Sequence, residues 1–306
     1  MNSPILTFLA MPKPFHGHIG VIQRNAITSW KKLVPRPEIL LFGEEQGVAE
    51  IAAELGIGHL RDVARNEFGT PLFDDLLRRA RAAMHAPLVC FVNSDVILLQ
   101  EFLEAARSVA GRFPQFLAVA HRLNVDVQAP IAFAGDWCAP FRSGVLARGV
   151  PGDHQAIDVF LFPPNLYSEV PPLVIGRAWI DQWLIKAARL QGAPVVDVTR
   201  VARAIHQNHE YGHIAGGQRG AYGGEEALRN LALYGGIPHA YTLLDVTHEL
   251  LPGGRLRRVR LRRQRFAVRQ WFWRHCIERT AALRHRLGLR RATPRMAPGK
   301  EPAAKA

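Results

Sequence analysis

The chain has little cysteine: Cys90, Cys138 and Cys276 are the only three in 306 residues. They lie far apart and are odd in number, which excludes a disulfide framework and a CxxC zinc site. Cys90 sits in an apolar run and reads as a small buried hydrophobe. Long apolar runs are also missing. No stretch approaches the roughly 20 apolar residues that a membrane span needs. The first run, Ile5 to Ala10, follows no basic segment and leads into Pro12 and Pro14, so it reads as a strand and not as a signal peptide. A reducing, cytoplasmic setting is expected. Acidic residues are scarce in one region only. Residues 253–306 hold 17 Lys/Arg and 2 acids, whereas residues 1–252 hold 22 and 24. The net charge of +13 therefore belongs to a basic tail on a near-neutral body. With 48% apolar and 21% charged residues, the body has the balance of a soluble globule.

What is present is an alternation of strand and helix signals. Strands are expected at Ile5–Ala10, Glu38–Phe42, His59–Val63, Leu88–Val92 and Phe116–Ala120. Helices are expected at Ile19–Leu33, Val48–Leu55, Thr70–Met84 and Leu99–Phe113, the third capped by Thr70 with Pro71 in its first turn. The order predicts an α/β domain with a mainly parallel sheet. Residues 124–155 read as irregular. A strand at Ile157–Phe162, a helix at Ala178–Leu190 and an extended stretch at Val195–Ile205 follow.

Three motifs carry chemistry. In "NSD", Asn93-Ser94-Asp95, a carboxylate ends an apolar strand. Asp95 either caps the helix beginning near Gln100 or faces a cation. Ligands of open parallel sheets bind at the carboxyl ends of strands, which favours the cation. Mg²⁺ and Mn²⁺ take oxygen ligands, often one or two carboxylates plus phosphate, and Asn93 and Ser94 offer only neutral oxygens. In "GRAWIDQWLIKA", Asp181 lies in the first turn of a helix between Trp179 and Trp183. It serves either the helix dipole or as a general base in an aromatic-walled cleft where a sugar stacks on Trp179. In "AIHQNHEYGH", three histidines fall within eight residues. They form a polar loop, or His206 or His209 completes a metal site with Asp95. Imidazole would tilt such a site towards manganese.

In this order the motifs resemble the GT-A nucleotide-diphospho-sugar glycosyltransferases, with bacterial and plant arabinosyltransferase-like relatives. "NSD" is similar to their D-x-D motif with the first Asp replaced, and "QRNAITSW" to the helix after their first strand. "VARNEFGTPLFDDLL" and "AIDVFLFPP" are similar to further segments, and the likeness runs over about residues 4–215. It implies a GT-A (Rossmann-like) fold and transfer of a sugar from a nucleotide donor, UDP foremost, to a glycan or lipid-linked hydroxyl. It implies Mn²⁺ or Mg²⁺ held by Asp95 and a late histidine, with Asp181 as the base of an inverting reaction. Arg24 and Asn25 would lie near the nucleotide, or be plain helix surface. Arg65, Asn66, Gly69 and Thr70 would meet an anion or ribose, or only start a helix. Asp158 would bind sugar hydroxyls, or pair with Arg177.

From Gly253 the sequence interleaves arginine with Leu, Val, Phe and Trp. Residues 253–291 read as a basic amphipathic helix, and residues 292–306 as a disordered tail beyond a 1–252 domain. The helix would lie on anionic lipid at the inner face of the cytoplasmic membrane, or pack on the domain. Nucleic acid is the weaker match. Two other functions compete with sugar transfer: a degenerate, non-catalytic tethering protein, and a nucleotidyltransferase. The latter wants more glycine than "MPKPFHGHIG" supplies after the first strand.

Overall fold

A computed structural model of the chain describes residues 3–209, 217–236 and 240–268. The chain forms two units, Met1–Arg260 and Leu261–Ala306. Only residues 261–268 of the second are described, so most of the expected basic helix, the whole 292–306 tail and His213 lie outside the described residues.

The first unit opens with alternating elements: β1 (Thr7–Ala10), α1 (Gly17–Lys31), β2 (Glu38–Phe42), α2 (Val48–Leu55), β3 (Gly58–Leu60), α3 (Phe73–Ala83) and β4 (Val89–Val92). After the NSD turn come β5 (Val96–Ile97), α4 (Glu101–Ala110) and the long β6 (Leu117–Val125). Then follow α5 (Cys138–Arg148), β7 (Val150–Pro151), β8 (Ile157–Phe162), α6 (Ile180–Leu190), β9 (Val195–Asp197) and β10 (Ala204–Gln207). The unit closes with α7 (Gly217–Gly223), α8 (Glu225–Tyr234), β11 (His248–Leu251) and β12 (Arg255–Arg258).

The strands form one sheet in the order β12-β11-β9-β6-β8-β4-β1-β2-β3. Along this path the pairings are parallel except where β8 enters between β4 and β6 and where β12 returns along β11; off it, β10 pairs parallel with β6 and antiparallel with β5, and β7 pairs antiparallel with β6. Side chains alternate between its faces. Phe8, Leu41, Cys90 and Val92 join one core with Trp30 of α1 and Phe102 of α4, while Leu9, Phe42, Val89 and Phe91 join a second with Phe73 of α3 and Leu184 of α6. This is the α/β, mostly parallel, helix-flanked sheet that the alternation predicts.

The departures have local causes. α3 starts at Phe73 and not at Thr70, with Leu72 as an N-cap that makes no side-chain cap bond. Leu72 is instead held extended in a bridge to Val174, and the Thr70 N–H is spent on Asn66 Oδ1. Residues 124–155 contain helix α5 despite Pro140, which falls in its first turn, where a missing N–H costs nothing. The 195–205 stretch breaks into β9 and β10, so His206 lies in a strand and not in a loop. The basic segment does not begin as a helix at residue 253. Gly253 and Gly254 take φ of 78° and 75°, and Arg255–Arg258 pairs antiparallel with β11. A Gly-Gly pair between two short runs is a hairpin signal, and it was available in the sequence. Among the described residues no helix is long and apolar enough to cross a membrane.

Candidate active site

Asn93-Ser94-Asp95 forms a tight turn between β4 and β5, closed by the Val96 N–H donating to the Asn93 carbonyl at 3.1 Å. α1 lies against this turn, and the Trp30 indole donates to the Val96 carbonyl at 2.8 Å. Gln100 is the N-cap of α4, so Asp95 caps nothing there. β10 pairs with both β5 and β6, which sets His206 opposite Val96 and Asn124. Gln207 is fully buried and ties the layers together: its amide donates to the carbonyls of Ile22 and Asp95 at 2.7 and 3.0 Å, and its oxygen accepts from Asn25 at 3.1 Å. Replacing Gln207 with Leu removes these three side-chain bonds, although the backbone N–H of residue 207 still donates to the Asp95 carbonyl at 3.2 Å and Asn25 keeps the Ala129 carbonyl. The expected cost is about 1 kcal/mol for each lost hydrogen bond, to be read from urea unfolding, together with weaker Mn²⁺ binding because the Asp95 carbonyl loses one of its two bonds to Gln207.

Asp95, His206 and His209 thereby converge, with one ligand atom from each lying within 4.8 Å of the others. His209 Nε2 is 2.9 Å from Asp95 Oδ2, and His206 Nε2 is 3.9 Å from the same oxygen. Asp95 is only 5% exposed. Burial pushes its pKa up, but the His206 ring, the His209 hydrogen bond and Lys13 outweigh this and hold the carboxyl well below the usual range. Burial pushes the His206 imidazole down, against the opposing pull of Asp95. Neutral imidazole is the form that ligates metal. Asp95 Oδ1 and His206 Nδ1 are buried with no hydrogen-bond partner among the described residues. Buried polar atoms are rarely left so. One carboxylate and two imidazoles, with free buried lone pairs, fit Mn²⁺ and, with less imidazole affinity, Mg²⁺.

The cluster opens into a cavity of about 600 Å³ lined also by Met11, Lys13, Arg122, Asp158, Asp181 and Gln182, with Trp179 and Tyr222 at its wall. Asp158 begins β8. Because β8 runs antiparallel to β4, its first residues lie beside the carboxyl end of β4, across from Asn93. Asp158 pairs with Arg122, whose Nη2 donates to Oδ1 at 2.7 Å. The partner expected from the sequence, Arg177, pairs with Glu226 instead. The Asn93 amide donates to Asp158 Oδ1 at 2.9 Å. This accounts for the neutral residue at the first motif position, since an acid there would abut Asp158. The Ser94 hydroxyl donates to Gln23 at 2.8 Å.

Asp181 lies in the first turn of α6, and Trp179 caps that helix in the left-handed region at φ 87°. Left-handed backbone is a real outlier for a bulky residue and is found at sites where geometry is imposed. Here it places the indole on the cavity wall. Burial, reinforced by Asp158 and opposed by Arg122, raises the Asp181 carboxyl to about 7. Trp183 does not share this wall. It packs on Tyr167 in the core, with ring centroids 5.5 Å apart.

Arg24, Asn25, Arg65, Asn66, Gly69 and Thr70, six of the expected binding residues, lie outside the cavity lining. Arg24 pairs with Glu54 on the surface. Asn25 is buried and spans Gln207, the Ala129 carbonyl and the Ile131 N–H. Arg65 bonds Glu45 and the Gly69 carbonyl, and Asn66 closes the same loop through the N–H groups of Phe68 and Thr70 while donating to Glu226. Local polarity suggested a ligand at each; the chain itself supplies the partners. Conversely, Lys13, Gln23, Arg122 and Gln182 escaped the sequence reading. The Gln182 oxygen is buried on the lining without a hydrogen-bond partner among the described residues. Only the placement of Gln182 next to Asp181 pointed to it.

No protein-family model matches the sequence, and no curated protein matches it. Solved structures do. Glucosyl-3-phosphoglycerate synthase from Mycobacterium tuberculosis, in complex with Mn²⁺, uridine diphosphate and phosphoglyceric acid, is similar at 16% identity over 84% of this chain and 86% of that one, with a TM-score of 0.47. TarS from S. aureus, residues 1–349, is similar at 12% identity over 66% of this chain, with a TM-score of 0.41. The chain spans 57% of the length of that TarS structure.

Proposed function

We propose that the protein transfers a sugar from a nucleotide-diphosphate donor, foremost a UDP-sugar, to a hydroxyl of a glycan or lipid-linked acceptor. The observation that carries this reading is one cavity holding two separate carboxylate functions. Asp95 lies with His206 and His209 in a site suited to a divalent ion, while Asp181 stands apart as a carboxylate whose pKa is raised to about 7. A base poised near the working pH is what general-base catalysis favours. A bound Mn²⁺ or Mg²⁺ would supply charge neutralisation for the leaving diphosphate. In this reading Asp181 accepts the acceptor hydroxyl's proton as its oxygen bonds to the anomeric carbon and the bond to the diphosphate breaks. Attack from the face opposite the leaving group inverts the anomeric centre. Trp179 and Tyr222 flank the sugar, and Asp158 and Gln182 take its hydroxyls.

The test is a thermal-shift panel of nucleotide diphosphates and nucleotide sugars, each with Mn²⁺, Mg²⁺ or EDTA. A ligand that binds only the folded state raises its melting temperature, by about 2.7 kcal/mol of added stability at a hundred times its Kd. A shift with a single nucleotide that EDTA abolishes is the expected result. No shift with any nucleotide, on folded protein, overturns the reading in favour of a non-catalytic module.

A further inference from the structure

The metal cluster contains a cation of its own. Lys13 follows β1, and its ammonium lies 3.2 Å from His209 Nε2 and 3.8 Å from Asp95 Oδ2. It sits there by construction. The Gln23 side chain accepts the Lys13 N–H at 2.6 Å and donates to the Lys13 carbonyl at 2.8 Å, and the same Gln23 oxygen receives the Ser94 hydroxyl. One buried amide thus fastens the lysine's backbone to the turn that carries Asp95. His209 Nε2 faces Lys13 and Asp95 together. It can accept from the ammonium or donate to the carboxylate, but a single nitrogen cannot do both. A divalent ion on Asp95 and His209 would take the two atoms that Lys13 reaches.

We propose that Lys13 and the divalent ion are alternative occupants of the Asp95–His209 pair, and that metal binding drives the Lys13 ammonium off the pair and into the cavity as a second cationic ligand for the diphosphate. This rests on the proposed site and deepens it. The motif has one carboxylate where two would bind metal more tightly, because Asn93 serves Asp158. The lysine then does two things. It neutralises Asp95 when metal is absent, and it adds positive charge at the leaving group when metal is present. A lysine suits such a move, being a compact charge on a flexible stem.

The experiment is titration calorimetry of the full chain with MnCl₂ alone, comparing wild type with Lys13→Met, which keeps the stem and removes the charge. Competition predicts Mn²⁺ affinity at least tenfold tighter in the variant. Equal or weaker affinity overturns the proposal. Should Lys13→Met be poorly folded, Lys13→Gln gives the same comparison, and the melting-temperature rise on adding Mn²⁺ replaces calorimetry. That rise should be larger in the variant than in wild type, and an equal or smaller rise overturns the proposal. With Mn²⁺ present, the variant should bind the nucleoside diphosphate at least tenfold more weakly; unchanged nucleotide binding overturns the second half. The metal measurement needs no nucleotide, so it stands or falls separately from the transferase reading.

Discussion

Asp181→Asn is expected to cut transfer by about 10²–10⁴-fold, the range that a positioned general base contributes, while leaving nucleotide-diphosphate affinity within about twofold. The asparagine keeps the shape of the side chain and cannot take a proton. Two pH signatures separate this from a structural role. The wild-type rate should rise with pH through about 7, because the base works only when ionised and burial raises this carboxyl to about 7. Stability should move the other way. Folded Asp181 holds its proton up to about 7, while the unfolded chain releases it near the ordinary carboxyl value of 3.8. Between those values the folded state binds more protons, so this residue's contribution to stability falls as pH rises. Asp181→Asn should therefore melt several degrees higher than wild type at pH 8 and together with it at pH 4. A variant that melts no higher at pH 8, or turns over normally, removes Asp181 from the role of base.

Asp95→Asn is the second large effect. Mn²⁺ affinity should fall by more than about a hundredfold, beyond the 10–100-fold that loss of an outer partner of a metal ligand costs. The reason is charge as much as geometry. Among the described residues Asp95 is the only carboxylate in the cluster, and its removal leaves two imidazoles beside the Lys13 ammonium with Asp158, already paired with Arg122, as the remaining anion acting on it. Metal-dependent nucleotide binding should disappear with it. The two variants are meant to differ: Asp95→Asn loses binding and keeps the base, whereas Asp181→Asn keeps binding and loses transfer. Calorimetry with Mn²⁺ followed by nucleotide reads the binding of both variants and a transfer assay reads the turnover, and unchanged metal affinity in Asp95→Asn would remove the metal role from this cluster.

The sequence was informative where a residue's position follows from its own element. Asp95 ends a run of buried apolar residues, so it has to sit at a strand's carboxyl end, and in a parallel sheet that end faces the ligand crevice. Asp181 near the start of an amphipathic helix was legible for the same reason. It misled where polar residues find partners far along the chain. Arg24 and Arg65 read as available cations, yet Glu54 and Glu45 take them. Asp158 read as a partner for Arg177, yet Arg122 reaches it.

Composition and periodicity by themselves determined the α/β class, the order of strands and helices across the first 120 residues apart from the two-residue β5, and the three motifs that meet at the cavity. Each depends on a local pattern repeating over a few residues. The tertiary structure alone decided how those motifs lie together. It set β8 antiparallel within a largely parallel sheet, which carries Asp158 to the cavity. It brought Lys13 to His209 across 196 positions of sequence. It raised the Asp181 pKa by enclosing the carboxyl near Asp158. Burial and Coulomb interactions depend on distance in space, and no local period in the chain encodes that distance.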